Sequence, residues 1–348
     1  MQKKRPTISD VAKLAQCSPS TVSLVLNNRG YVSPTVRKRV LTIIKDLSYH
    51  PSHSARGLAS KTSGNFGFIL SDDHFSQAEP FYTRIFLGTE FEARNHSYYI
   101  LLTTVGPSFN KSKDAPRFLL ERNVDGVILA GKVDASLIDY IDALGVPIVL
   151  VDYTTQRRKH SSVLIDNISG GQIAVNHLLA CDRQEIAFIA GDINHPSIAE
   201  RYAGYQEALK EHGMTLDPTL VHVAEPALRG VDGANAIHHI LDRRKAPSAV
   251  FAANDAMAIG CIHYLRQRGI NVPEDVAVVG FDDIDMSSHI EIPLTTIRVF
   301  KEEMGKLAVL RLVEIIKERT SHVVTTHVPV ELIVRRSTPE LRQQSIVA

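Results

Sequence analysis

Apolar residues between positions 7 and 26 recur at helical spacing in two short runs, with Ile8, Val11, Ala12 and Ala15 on one face and Val22, Val25 and Leu26 on another. Thr7 with Asp10 three residues on is a capping-box-like start for the first run; Ser18 and Pro19 start the second as N-cap and first helical residue. The pattern predicts two helices joined by a tight turn at Gln16, Cys17 and Ser18. Ser33 and Pro34 repeat the start signal, and Val36, Val40, Ile43, Ile44 and Leu47 give a third helix one apolar face. Beyond position 64 the pattern changes. Short β-branched or apolar runs at 67–70, 98–103, 126–129, 148–151, 186–190, 249–252 and 276–281 alternate with helical patterns at 82–94, 170–179, 199–213 and 256–269. Strand and helix in alternation predict parallel sheets with helices on both faces, and so many units predict two doubly wound lobes.

In the second helix, packing Val22, Val25 and Leu26 inward turns Ser20, Thr21, Ser23 and Leu24 outward. A short helix presenting small residues suits the major groove of DNA, although an ordinary helical hairpin in a core reads the same over twenty residues. Charge separates the two. The 348-residue chain has a net charge of only +1, but residues 1–62 hold eleven Lys or Arg against Asp10 and Asp46, a balance of +9. The remaining 28 basic and 36 acidic residues give −8. A basic head on an acidic body is the footprint of a nucleic-acid-binding domain, and Arg37, Lys38 and Arg39 at the start of the third helix are candidates for phosphate contact. Cys17, Cys181 and Cys261 are widely spaced, which argues for a reducing compartment and against structural zinc. No apolar run approaches about 18 residues, and MQKKRPTISD has no apolar signal core, so the expected location is the cytoplasm.

In open α/β sheets ligands sit beyond the carboxyl ends of strands. Polar residues follow the apolar runs there: Asp72 and Asp73 after GFIL, Asp152 after IVLV, Asn254 and Asp255 after VFAA, Asp282 and Asp283 after VAVVGF. His195 and Ser197 come soon after IAFIAG, and Arg201 stands on the helix that begins there. Carboxylates, an amide and a guanidinium converging on a cleft suit a polyhydroxylated ligand, because planar polar groups bond adjacent hydroxyls in pairs. Phe81 and Tyr82 would supply an apolar face. Asp255 and Asp283 fit turn or cap roles better than their neighbours.

The segment 49–60, YHPSHSARGLAS, has too few large apolar residues to hold two helical turns alone and is expected to order conditionally. Together, TISDVAKLA, SPSTVSLVLN, VSPTVRKRV and YHPSHSARGL resemble the LacI/GalR family of bacterial transcription regulators. PFY at 80–82, AERYAGY at 199–205, AND at 253–255, GFDD at 280–283 and PLTTI at 293–297 look like that family's effector-lobe motifs. The resemblance implies an all-α helix-turn-helix domain at 1–48 and a hinge at 49–63. It implies a two-lobed α/β body of periplasmic-binding-protein type at 64–340, and 341–348 is left as a tail. Lobe one is expected at 64–165 plus 293–325, and lobe two at 166–292 plus 326–340.

By the same resemblance, DNA contacts are expected from Thr7, Ser18, Pro19, Ser20, Thr21, Ser23, Leu24, Asn27, Arg29, Ser52, Ala55, Arg56 and Leu58. Leu58 is implied as a wedge in the minor groove. At Leu24 many relatives carry Arg or His, which read guanine; leucine offers only apolar contact. Effector contacts are expected from Phe81, Tyr82, Asp152, Arg201, Asn254 and Asp282, with His195 and Ser197 as variable specificity positions. The implied function is an operator-binding regulator, a repressor in most relatives. It acts as a homodimer on a near-palindromic site and responds to a sugar or sugar derivative, with no cofactor and no metal. No leucine heptad is read before Ala348, so the tetramer-forming extension of some relatives is expected to be absent.

Enzyme readings find little support. There is no P-loop, no G-x-S-x-G, no H-E-x-x-H and no dinucleotide fingerprint after a strand. His238 and His239 are adjacent and face different sides of a helix, so they are expected at the surface. A helix-turn-helix head on a sugar kinase would need a nucleotide loop, and a free sugar carrier would need an export signal.

Overall fold

The computed structural model describes residues 6–26, 30–49, 62–72, 81–155, 159–223, 230–243, 245–320 and 322–340. Contacts divide the chain into two compact units, Met1–Gly64 and Asn65–Ala348.

In the first unit α1 (Ile8–Leu14), α2 (Pro19–Leu26) and α3 (Pro34–Asp46) enclose a small core of Val11, Ala12, Ala15, Val22, Val25, Val40 and Tyr49. The start signals work as the chemistry requires. The Thr7 hydroxyl accepts from the Asp10 amide while the Asp10 side chain accepts from the Thr7 amide, and Ser18 Oγ accepts from the Thr21 amide at 3.1 Å. Gln16 bends the α1–α2 connection with φ of 51°. Tyr49, expected in the hinge, is instead buried in the head core, where its ring supplies apolar area that a 40-residue unit lacks. Of the rest of the expected hinge, 50–63, residues 50–61 lie outside the described residues, as does the tail at 341–348.

The second unit holds two six-stranded sheets. In sheet one, β1 (Asn65–Ser71), β2 (Tyr99–Val105), β3 (Gly126–Ala130), β4 (Ile148–Val151), β5 (Ser161–Ile165) and β11 (Thr325–Val328) are all parallel, in the order β11-β5-β4-β3-β1-β2. In sheet two the order is β12-β10-β9-β8-β6-β7, built from β6 (Ile186–Ala190), β7 (Val221–Val223), β8 (Ala249–Ala252), β9 (Ala277–Asp282), β10 (Thr295–Val299) and β12 (Val330–Ile333). Only β12 runs antiparallel to its neighbour in this sheet. The order reverses between β1 and β3 in one sheet and between β6 and β8 in the other, and each reversal opens a crevice at the strands' carboxyl ends.

The expected lobe boundaries need correcting. The chain was expected to return to lobe one at 293, but β10 pairs with β9 in sheet two, so the return falls at Phe300, one residue before α12 (Lys301–Glu318). Likewise residues 326–328 of β11, expected in lobe two, pair with β5 in sheet one. The crossings therefore lie at Asp166, Phe300 and Pro329.

The remaining helices pack on the sheets: α4 (Phe81–Asn95), α5 (Arg117–Leu120) and α6 (Ala135–Ala143) on the first, and α7 (Asn167–Ala180), α8 (Pro196–Glu211), α9 (Gly230–Arg243) and α10 (Asp255–Gln267) on the second, with the short α11 (Met286–His289) following β9. Helix α12 packs against α4.

Candidate functional site: a polar cluster between the lobes, and an exposed head helix

The strand ends bring one group of predicted residues together. Asp152, just past β4 with φ of 56°, accepts hydrogen bonds from Tyr82 Oη (2.8 Å) on α4 and from Ser197 Oγ (2.7 Å) on α8, so a single carboxylate ties the two lobes. Arg201, one turn further along α8, lies face-on to Phe281 at 3.7 Å. Its Nε donates to Asn167 Oδ1 (2.9 Å), its Nη1 to the Ala253 carbonyl (2.6 Å), and its Nη2 lies 3.3 Å from Asp282 Oδ1. Asp282 ends β9 with φ of 111°. Lys301, the first residue of α12, donates to the carbonyls of Asp282 and Val299 and lies 5.7 Å from the Phe81 ring.

Burial governs the electrostatics of this cluster. It raises the Asp282 carboxyl above the usual range despite the pull of Arg201 and Lys301. It lowers the Lys301 ammonium and holds His195 below its ordinary value, hence neutral at pH 7. The Tyr82 hydroxyl is pushed up by burial and by the neighbouring Asp152. Three buried side-chain polar atoms among the described residues lack a hydrogen-bond partner, and two belong to this cluster: His195 Nδ1 and Asp282 Oδ1. The contact of Asp282 Oδ1 with Arg201 is therefore an ion pair without hydrogen-bond alignment.

Other predicted residues have different employment. Asn254, expected as an effector contact, is buried and its side-chain oxygen accepts from the Met257 amide (2.8 Å) as N-cap of α10. Asp283 joins Arg298 (2.8 Å) and Arg335 (2.6 Å); burial alone would raise its carboxyl, but these hydrogen bonds outweigh burial and hold it below the usual range. Asp72 is exposed at the end of β1, and Asp73 lies outside the described residues. Three contributors escaped the sequence reading: Asn167, which anchors Arg201 and is itself held by Glu200 (3.1 Å); Phe281; and Lys301. Phe281 sits immediately before Asp282, a signal that was there to be used. Among the histidines, His239 is exposed, while half-buried His238 meets Tyr264 Oη at 2.8 Å.

Asp255 lies behind the cluster, fully buried, accepting from the Ile284 amide, Ser287 Oγ and Thr296 Oγ1. Burial, helped by Asp282, raises its carboxyl to about 7 in spite of these bonds. The folded state therefore holds a proton that the unfolded chain releases near the ordinary Asp value. The corresponding stability is complete below about pH 4 and is lost as pH rises through about 7. Asp282, also raised, acts in the same direction. Asp255→Asn, which preserves the shape and removes the titration, should melt with a shallower pH dependence between pH 5 and 8 than the unsubstituted protein. Equal slopes would show that Asp255 is ionised throughout.

In the head, Ser20 and Leu24 are exposed on α2, Leu24 at 39%, while Thr21 and Ser23 are half-buried and Val22 and Val25 are buried. Thr7, Ser18 and Pro19 are exposed at the helix starts, with the Thr7 and Ser18 hydroxyls engaged in capping. Asn27, Arg29, Ser52, Ala55, Arg56 and Leu58 lie outside the described residues.

A three-helix head with an exposed second helix, joined to a two-sheet body with polar groups gathered at the strand ends, defines a DNA-binding regulator with a ligand-binding-type body. Comparison with known proteins gives the family. The family of bacterial regulatory proteins called lacI matches residues 7–52, and a periplasmic binding protein-like domain matches residues 175–338. The chain is 32% identical to the HTH-type transcriptional repressor PurR of Pasteurella multocida over 95% of its own length and 98% of the relative's. It is 36% identical to the HTH-type transcriptional regulator CelR of Thermobifida fusca, with 97% and 99% covered. Among solved structures, the lac repressor dimer bound to operator and the anti-inducer ONPF superposes with a TM-score of 0.82 at 28% identity, covering 96% of this chain and 99% of that one. The chain belongs to the lacI family and is a DNA-binding transcriptional regulator.

Proposed function

We propose that the protein is a homodimeric repressor whose two heads bind half-sites of a near-palindromic operator, and that a sugar held between its lobes sets its operator affinity. The observation that carries the effector half is the pair of buried atoms without a hydrogen-bond partner, His195 Nδ1 and Asp282 Oδ1, beside the hydrogen-bonded side chains of Tyr82, Asp152, Ser197 and Arg201. A buried polar atom without a partner costs about 1 to 3 kcal/mol, and a ligand hydroxyl removes that cost. Tyr82, Asp152, Ser197 and Arg201 complete the proposed contact set, with Phe81 beside it. A solved CelR–cellobiose complex, 34% identical with a TM-score of 0.72 over 96% of this chain and 100% of that one, supports a sugar in particular. Leu87 and Phe91, exposed one turn apart on α4, support self-association. The regulator acts in the cytoplasm, where its operator is.

Linkage makes the scheme testable: a sugar that weakens operator binding must itself bind more weakly, by the same factor, in the presence of operator. Operators selected from randomised DNA, followed by anisotropy titrations with and without a panel of sugars, measure both sides of that cycle. No sugar altering operator affinity in either direction would end the effector reading.

The exposed Leu24 carries a second expectation. An arginine there bonds the O6 and N7 edge of guanine, which leucine cannot, and a good bidentate contact discriminates by about 1 to 3 kcal/mol. Leu24→Arg should shift the preferred base at one operator position toward guanine. An unchanged selection profile would remove Leu24 from the reading surface.

A further inference from the structure

We propose that Arg84 and Asp285 form a latch between the lobes, a releasable ion pair through which the segment after β9 in lobe two grips α4 of lobe one. This rests on the proposed reading that the body sets the operator affinity of the heads, and it names a contact outside the polar cluster that holds the lobes in their present relation.

Arg84 stands on α4, two residues past Tyr82, and is partly exposed. Its Nη2 donates to both carboxylate oxygens of Asp285 (3.0 and 2.9 Å), and its Nη1 donates to Glu302 Oε1 (3.0 Å). The two carboxylates come from different lobes. Glu302 is the second residue of α12, which a close approach fixes to α4: a Cβ added at Gly88 would stand 2.0 Å from the Glu302 carbonyl oxygen, and one at Gly305 2.1 Å from that of Ile85. Arg84 and Glu302 therefore move together. Asp285 moves with lobe two, because the segment between β9 and α11 is held at each step. Asp282 and Asp283 have φ of 111° and 50°, Asp283 is paired with Arg298 and Arg335, and the Ile284 amide and Ser287 hydroxyl both donate to Asp255. Asp285 is the N-cap residue of α11, where an aspartate ordinarily accepts from the helix's own amides. Its side chain makes no such bond, and the carboxylate is turned to Arg84 instead.

The pair is suited to opening. Ser197 to Asp152 and Lys301 to the Asp282 carbonyl also cross between the lobes, but they join buried groups, and parting them strands buried polar atoms. When Asp285 leaves Arg84, its side chain, already 72% exposed, passes to water, and Arg84 keeps Glu302. The latch thus adds a small, reversible bias of about two- to fivefold to the population of this lobe arrangement, the scale of an exposed ion pair. Arg84 also lies on the stripe of α4 that carries Leu87 and Phe91, at i, i+3 and i+7. The helix that lobe two grips is therefore the one that presents the proposed self-association face, and pairing two heads on one operator depends on that face.

The test is a double-mutant cycle on the full chain, with anisotropy on a selected operator and on a non-specific duplex. Arg84→Gln and Asp285→Asn should each change the ratio of specific to non-specific affinity by about two- to fivefold, in the same direction, and the double variant should go no further than either single. A general electrostatic effect on DNA would move the two singles apart, because one removes a positive charge and the other a negative one. Glu302→Gln, which leaves the cross-lobe pair in place, should not shift the ratio in that direction. Opposite, additive or absent shifts overturn the latch. So does loss of self-association in Arg84→Gln by sedimentation, which would make Arg84 an interface residue. Absent shifts beside a sugar that alters operator affinity remove the latch and leave the effector reading standing; the expected shifts with no active sugar support the latch and remove that reading.

Discussion

Asp282→Asn is expected to weaken the effector by roughly 10- to 150-fold, the equivalent of the 1.5 to 3 kcal/mol carried by a hydrogen bond to a charged group, and to leave operator binding by the effector-free protein at its starting value. The side chain ends β9 with one oxygen lacking a hydrogen-bond partner, and on the proposed reading an effector hydroxyl is that partner. The head forms its own compact unit, Met1–Gly64, which no residue of the cluster helps to build. Arg201→Ala should abolish the response too, but at a further cost. Its guanidinium joins α7, the end of β8 and the end of β9, and its loss removes the ion-pair partner of the buried Asp282 carboxylate, leaving only the pull of Lys301, and strands the Ala253 carbonyl, a change worth about 3 to 5 kcal/mol of stability. The two variants separate binding from folding: Asp282→Asn should melt near the parent temperature, Arg201→Ala well below it. Calorimetric titration of a cognate sugar, with anisotropy on operator DNA in parallel, reads both. Unchanged sugar affinity in both variants would mean that the cleft lies elsewhere.

The strand-end rule found Asp152, Ser197, Arg201 and Asp282 because it needs only the end of an apolar run, which is local information. Their partners are not local. Asn167 and Lys301 reach the cluster from 34 residues before Arg201 and 19 residues after Asp282. Neither has a periodicity that announces its role. The same limit explains the strands that pattern missed. β5 opens with Ser161 and Ser162 and β10 with Thr295 and Thr296, all four buried, their hydroxyls satisfied by Arg311, Thr325, Thr338 and Asp255. A buried hydroxyl with a distant partner looks in sequence like a turn residue. Missing β10 moved the crossing from Phe300 to 293, and the edge strand β11 (TTHV) carries too little apolar character to correct it. Helix α12 is different. Met304, Ala308, Val309 and Leu312 mark its buried face at legible spacing, and the period was there to be read. In the head, two capping serines and two N-terminal prolines made the helix boundaries legible because capping is satisfied within four residues.

Gly204→Ala is expected to destabilise the body by about 2 to 3 kcal/mol, the scale of overpacking a well-filled interior, or roughly 5 °C in melting temperature for a domain of this size. The cause is a close approach of helices. Gly171 of α7 and Gly204 of α8 face each other across the contact, and a Cβ added at Gly204 would stand 2.2 Å from the Ile168 carbonyl oxygen, with a Cβ at Gly171 2.5 Å from that of Arg201. Neither obstacle is a side chain that could rotate away, so the helices must separate. Separation has a functional consequence, because α8 carries Ser197 and Arg201 while α7 carries Asn167. A shift of a few tenths of an ångström stretches the Arg201 to Asn167 bond at 2.9 Å and the Ser197 to Asp152 bond at 2.7 Å together. Gly204→Ala should therefore lose effector affinity as well as stability, although it touches no ligand. Ala199→Ser, on the exposed side of the same helix, should lose neither. Melting curves and sugar titrations on the pair decide the matter: a Gly204→Ala protein with unchanged melting temperature would show that the helices have room to spare, and one that melts early yet keeps full sugar affinity would show that the cluster does not depend on how closely α7 and α8 pack.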